Sequence, residues 1–111
     1  MIIIEGVNDK GGKFRPSAWA EMLIEGVGLA HFGTDHKIHY LPFIEPAMIN
    51  GNAAILLDED LEQLRPEAFA EIMHFARENH LVIHREPGSL AERRAALRAH
   101  KTHRMDSRRS S

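Results

Sequence analysis

Apolar and polar stretches alternate along the chain in a way that predicts four strands. Ile2, Ile3 and Ile4 are consecutive β-branched residues, which indicates burial on both faces of a sheet. The segment Ala53–Leu57 is continuously apolar and predicts a central strand, whereas Pro42 lacks an N–H and predicts an edge strand. The predicted strands are Met1–Glu5, Lys37–Ile44, Ala53–Leu57 and Leu81–Arg85.

Helical spacing between the first two strands predicts a helix. Trp19, Leu23 and Val27 recur at i, i+4 and i+8, with Met22 beside them, which is typical of one buried stripe. Pro16 suits the first turn of this helix, and Ser17 is a possible cap. We expect Trp19 to be a core anchor.

A second helical region follows the third strand. Leu61–Leu64 is expected to form a separate turn before Pro66 restarts the helix, which Asn79 would end. Its buried face is predicted to consist of Phe69, Ile72, Met73 and Ala76. A capping box then opens at Ser89 and predicts a terminal helix to about Lys101.

The order β-α-β-β-α-β predicts an α+β fold of the ferredoxin-like type, with a four-stranded antiparallel sheet and an extra C-terminal helix. The first and third strands would be central, adjacent and parallel. A different α+β sheet is the alternative. We expect one α+β domain over residues 1–88, followed by a basic helix and a disordered tail over residues 89–111.

Composition limits the classes of function. The 111 residues include no cysteine, which removes thiol catalysis and cysteine-ligated metal centres. No apolar run approaches the length of a membrane span, and the short apolar start lacks the basic region of a signal peptide. We therefore expect a cytoplasmic protein without membrane contact.

Charge is divided unevenly along the chain. Residues 1–90 carry 14 Asp/Glu against 7 Lys/Arg, whereas residues 91–111 carry 7 Lys/Arg against 2 Asp/Glu. A basic tail on an acidic body can bind nucleic acid or an acidic protein, or it can simply aid solubility. The candidate nucleic-acid-binding residues are Arg93, Arg94, Arg98, Lys101, Arg104, Arg108 and Arg109.

The loop between the first strand and the first helix is the candidate ligand site. It combines glycines with cations ahead of a helix N-terminus, an arrangement that can bind a phosphate or carboxylate. Its glycine spacing matches neither a P-loop nor a dinucleotide fingerprint, and a plain connection is the alternative. The candidate ligand-binding residues are Lys10, Gly11, Gly12, Lys13 and Arg15.

Other polar groups do not form a recognised catalytic or metal motif. The eight histidines match no zinc spacing such as His-Glu-x-x-His. The acidic run that begins at Asp58 has Gln63 where a calcium loop requires glycine, which favours a solvated helix start. Ser17 and Ser89 are explained as helix caps. We expect no metal, no cofactor and no catalytic constellation.

Residues 14–21, Phe-Arg-Pro-Ser-Ala-Trp-Ala-Glu, resemble the signature of a small bacterial family of unknown function. The segments 32–35, 40–42 and 69–79 are similar to it as well, so the resemblance covers most of residues 1–85. The family pattern often has an acidic residue at the position of Ala18, which implies that this position is not essential. The resemblance implies no particular activity.

These observations favour a non-enzymatic regulatory or protein-interaction module. Its partner would be another protein or a small anionic ligand, and a homodimer would cover the sheet face opposite the two helices unless the terminal helix does so. The alternative is a nucleic-acid-associated protein that binds through its basic tail. An enzyme ranks third.

Overall fold

A computed structural model describes residues 1–99 of the chain. The strands are β1 Ile2–Asn8, β2 Ala30–Phe32, β3 Ile38–Tyr40, β4 Ile44–Ile49, β5 Asn52–Leu57 and β6 Leu81–Arg85. The helices are α1 Trp19–Gly26, α2 Leu61–Leu64 and α3 Pro66–Glu78, and residues 90–99 form a further helix, α4. The fold is thus a mixed α+β arrangement, as predicted.

The main sheet has four strands in the order β4-β5-β1-β6, and every neighbouring pair is antiparallel. The two most apolar strands, β1 and β5, are central and adjacent, as predicted. Their predicted parallel direction is wrong, because Ile2 lies opposite Leu57 and Glu5 lies opposite Ala54. The reason is the tight Asn50–Gly51 hairpin, with positive φ at both residues, which reverses the chain between β4 and β5.

The predicted strand Lys37–Ile44 is divided between two sheets. Its first part is β3, which pairs with β2 in a separate two-stranded sheet. The edge of the main sheet is β4, so the edge proline is Pro46 and not Pro42. An edge strand tolerates proline because one of its sides has no ladder partner. Alternating apolar residues indicate a strand but do not specify the sheet to which it belongs.

Helices α1 and α3 cover one face of the main sheet. Trp19 and Ile24 of α1 and Ile72 of α3 are fully or almost fully buried against Ile4 and Ile55 of the central strands. The burial predicted for Trp19 is confirmed, as are the separate turn α2 and the restart of the helix at Pro66.

Three local predictions about these helices are corrected. Met22 is 62 % exposed, because the buried side of α1 is formed by residues 19, 20 and 24 instead. Phe69 is only half-buried at the edge of the core. Ser17 does not cap α1, since the residue at the N-cap position is Ala18.

The second face of the sheet carries a smaller apolar cluster. Leu90, at the start of α4, is fully buried against Ile3 and Leu56. Ser89 caps this helix, because the Glu92 N–H donates to Ser89 Oγ over 3.1 Å; the Glu92 carboxylate accepts from the Ser89 hydroxyl rather than from its backbone N–H, so the predicted capping box is only half formed. The terminal helix therefore contacts the sheet face opposite α1 and α3. No helix within residues 1–99 is long and apolar enough to cross a membrane.

Candidate functional site

Three aromatic rings from two distant parts of the chain meet at the surface beside α1. Trp19 stacks on Phe75 of α3, with ring centroids 5.9 Å apart and planes 13° from parallel. Phe14 meets both rings edge-on, at centroid distances of 5.6 Å to Trp19 and 5.8 Å to Phe75. Both geometries are favourable for aromatic pairs. The result is a rigid aromatic corner between the loop after β1 and the two long helices.

Backbone contacts of β1 position two of these rings. The Phe14 N–H donates to the Gly6 carbonyl oxygen over 2.8 Å, which ties the loop back onto its own strand. The Trp19 indole lies directly over Gly6, where a Cβ atom would be 2.7 Å from its Nε1. Among the described residues this buried Nε1 has no hydrogen-bond partner. Gly6 therefore provides the space that the indole occupies.

The aromatic corner forms one wall of an open pocket of about 350 Å³. Phe14, Trp19 and Phe75 line it together with Pro16, Met22 and Leu23. None of these side chains titrates, and the single polar atom among them, the indole Nε1, is turned towards Gly6. We call this site the aromatic pocket. Its volume lies at the lower end of the range for small-molecule sites, and its lining can bind apolar groups but supplies no acid or base.

The predicted ligand loop forms one end of this site, but the backbone N–H groups of its glycines and of Lys10 already donate within the loop. The side-chain oxygen of Asn8 accepts from the N–H groups of Lys10 and Gly12 over 2.9 and 2.8 Å, and the Gly11 N–H donates to the Asn8 carbonyl. The loop therefore does not offer a cradle of free N–H groups to an anion. Helix α1 also begins only at Trp19, four residues beyond Arg15.

Two cations of the loop nevertheless lie beside the aromatic pocket. Lys13 and Arg15 line a shallow depression with Pro16 and Ser17, and Pro16 also lines the aromatic pocket. Lys13 Nζ donates to the Gly51 carbonyl over 3.3 Å. The guanidinium of Arg15 has no partner among residues 1–99. We call this depression the basic end of the pocket.

A second depression adjoins the pocket on its other side. Leu23 and Phe75 are shared between the two, and Glu71, His74, Glu78 and Asn79 complete the lining. His74 Nε2 lies 3.3 Å from Glu78 Oε1, and both side chains are largely exposed. We call this region the acidic end. Pro16 is shared by the aromatic pocket and the basic end, and Leu23 and Phe75 are shared by the pocket and the acidic end, so the three depressions adjoin one another. We call them together the groove.

The β2–β3 hairpin carries a separate polar cluster. His39 Nε2 lies 3.0 and 3.1 Å from the two carboxylate oxygens of Asp35, and the His31 and His39 rings stack 5.4 Å apart. The hydrogen bond from His39 lowers the pKa of Asp35 below its ordinary value. All three side chains are exposed, and within residues 1–99 no three His, Asp or Glu side chains are grouped to hold a metal ion.

The structure places part of the predicted nucleic-acid-binding set. Arg93 and Arg94 each lie within 3.5 Å of the Glu45 carboxylate on β4, and Arg94 also donates to the Pro42 carbonyl over 3.0 Å. Arg98 lies on α4 and has an interaction of its own. The contacts of Arg93 and Arg94 with Glu45 join α4 to β4 of the main sheet. Lys101, Arg104, Arg108 and Arg109 lie outside the described residues, as does the tail predicted to be disordered.

Sequence reasoning identified Trp19, Lys13 and Arg15 but missed the pocket that they border. Phe14 falls in the predicted loop before the first helix. Phe75 lies next to Ala76 but outside the buried face predicted for its helix. The available signal was the presence of these two large aromatic residues at positions that the predicted elements did not bury. Their meeting depends on the tertiary fold.

Comparisons with known proteins give the chain a family. No curated protein matches it. A solution structure described as the first structural representative of its family is 40 % identical, with a TM-score of 0.64 over 74 % of each chain. The family model described as "Protein of unknown function (DUF3579)" matches residues 1–86. On this match the chain belongs to the DUF3579 family.

Proposed function

We propose that this protein is a cytoplasmic, non-enzymatic interaction module whose aromatic pocket receives an apolar side chain of a partner protein. One observation supports this proposal above the others. A buried tryptophan and two half-buried phenylalanines wall an open pocket at the surface, and Met22 at its rim is 62 % exposed. Aromatic residues and methionine are the side chains that binding surfaces favour.

The chemistry of the lining favours binding over catalysis. A general acid or base must lie within hydrogen-bond reach of the reacting group. The six lining residues contain no such group, and the titratable side chains of the groove line its two ends instead. The pocket can therefore stabilise a bound apolar group by removing it from water.

We also propose a finer fold assignment. We assign the main sheet and its two covering helices to the ferredoxin-like type, which the strand order β4-β5-β1-β6 supports, with β2–β3 as an added hairpin. Because fold alone does not define function, the proposal depends on the aromatic pocket and not on this assignment.

Blocked single amino acids provide a direct test of the pocket. The probes are N-acetyl-phenylalanine amide and N-acetyl-leucine amide, with N-acetyl-serine amide as the polar control. Burying one such side chain gives only about 1.5–3 kcal/mol, so binding should be weaker than 1 mM and should be followed by NMR. We expect the two apolar probes to shift the Trp19 indole N–H and the Phe14 amide, and the serine probe to leave them unchanged.

Two exposed methionines supply matched variants. Met22 lies at the rim of the pocket and Met48 lies on β4, and their exposures are similar at 62 % and 66 %. Met22→Asp should abolish the shifts caused by the apolar probes, whereas Met48→Asp should preserve them. Equal shifts with the serine probe, or equal behaviour of the two variants, would contradict the proposal.

Nucleic-acid binding through residues 91–111 stays a prediction. Two of its seven cations, Arg93 and Arg94, already contact Glu45, so a polyanion would have to compete with that carboxylate.

A further inference from the structure

We infer that the partner binds as a mixed-charge peptide segment: a bulky apolar anchor with a carboxylate on one side and a basic group on the other. This inference rests on the proposed function, since it describes what lies on either side of the side chain in the aromatic pocket. It adds the chemical class of the partner, which the pocket alone does not define.

The basic end selects the carboxylate. Arg15 is exposed, and its guanidinium has no partner within the part of the chain that the structure describes. Lys13 lies in the same depression, where its ammonium donates to the Gly51 carbonyl. A guanidinium binds a carboxylate through two parallel hydrogen bonds, which gives this end directional specificity. Pro16 joins this end directly to the pocket.

The acidic end selects the basic group. Glu71, His74, Phe75 and Glu78 are spaced at i, i+3, i+4 and i+7, so they share one face of α3. Phe75 reaches into the pocket while the two carboxylates flank it along the helix. A lysine or arginine beside the anchor would therefore meet negative charge at this end.

The same charges disfavour a uniform polyanion. A nucleic-acid strand that reached Arg15 and continued along the groove would meet Glu71 and Glu78. Like charges brought close together are destabilising, and this arrangement is a recognised means of excluding wrong partners. A segment with opposite charges at its two ends is complementary to both ends of the groove.

Three fluorescein-labelled, end-blocked peptides test the inference, each with one phenylalanine anchor. The first has two aspartates on one side and two lysines on the other, the second has aspartates on both sides, and the third has lysines on both sides. Fluorescence anisotropy with the full chain should show the mixed peptide binding about threefold to tenfold more tightly than the others, because exposed pairs contribute modestly. This advantage should shrink as salt is raised to 0.5 M.

Two charge reversals make the test specific to the groove. Arg15→Glu should weaken the mixed and all-aspartate peptides and strengthen the all-lysine peptide. Arg77→Glu makes the same change of charge on α3 at an exposed residue that does not line the groove, and should leave the ranking unchanged. Circular dichroism confirms that both variants fold.

The outcomes separate this inference from the proposed function. Equal binding of the three peptides, or equal effects of Arg15→Glu and Arg77→Glu, would overturn the mixed-charge partner. The proposed function fails instead if a mixed peptide with serine in place of the anchor binds as tightly as the parent peptide. Displacement of the mixed peptide by a short single-stranded DNA would also overturn the inference, in favour of a polyanion.

Discussion

Gly6 is the position where a single methyl group should have the largest effect on this fold. It is a buried residue of β1, and the Trp19 indole occupies the space above it. A Cβ added in Gly6→Ala would lie 2.7 Å from Trp19 Nε1 and closer still to the carbonyl oxygen of Ala53. Real Cβ atoms do not approach other heavy atoms so closely, so either the indole or the β1–β5 pairing must shift.

The expected loss of unfolding free energy in Gly6→Ala depends on how far the neighbours of the new methyl group can move. Overpacking a core usually costs about 1–3 kcal/mol. Here one obstacle is the backbone of a central strand, which cannot rotate away, and the other is a ring held between Phe14 and Phe75. We therefore expect the upper part of that range, less about 0.4–1 kcal/mol for the reduced freedom of the unfolded chain. The net loss should be about 2 kcal/mol, or roughly 8–16 °C in melting temperature.

Urea denaturation measures this loss directly. Trp19 is the single tryptophan of the chain, so its fluorescence reports on the site itself, and circular dichroism provides a second probe. Gly26→Ala is the matched control, because a Cβ at this last residue of α1 meets nothing within 4 Å. The control should be stabilised by about 0.5–1 kcal/mol. Equal unfolding midpoints for Gly6→Ala and the parent protein would refute the packing of the indole on Gly6.

Three further predictions follow from other contacts. Trp19→Ala should lower the free energy of unfolding, measured by urea denaturation, by about 3–5 kcal/mol. A loss below about 1 kcal/mol would show that Trp19 is not part of the core. Because the folded pKa of Asp35 is lowered, its stabilising contribution is present above the ordinary aspartate pKa and is lost as pH falls through the folded value. NMR titration should show this carboxyl moving back towards its ordinary pKa in His39→Ala; an unchanged value would contradict the pair. Glu45→Ala should lower hydrogen-exchange protection in α4 by no more than about 1 kcal/mol, because the lost pairs, including the one to Arg94, are partly exposed. Unchanged protection would mean that the Glu45 pairs do not stabilise the helix and that its other contacts, such as the buried Leu90, hold it in place.

The local sequence determined much of the secondary structure. Consecutive apolar residues place Ile2–Ile4 and Ala53–Leu57 in the interior of any sheet that they join, and both strands are central. Pro66 cannot continue a helix from α2, so the break before α3 follows from the missing N–H alone. Asn50–Gly51 specifies a tight turn because both residues accept positive φ.

Strand identity at the sheet edge was not determined locally. Ile38 and Tyr40 have the pattern of a strand, but nothing in that pattern distinguishes pairing with β2 from pairing with the main sheet. In the structure these residues form β3 of the β2–β3 hairpin, and β4 is the edge strand of the main sheet. The direction of β5 relative to β1 depends on two features together, the local Asn50–Gly51 turn and the direction in which β4 joins the sheet, and only the turn is specified locally.

The groove was decided almost entirely by the tertiary structure. Helical spacing showed that Trp19 is buried but could not show that it stacks on Phe75, which lies in another helix. Loop composition identified Lys13 and Arg15 as available cations but not their position beside an apolar pocket. Periodicity reports which side chains avoid water within one element. Which side chains meet across elements depends on how those elements pack. In this fold the packing places the Trp19 indole in the space above Gly6 and brings Phe14 and Phe75 against it.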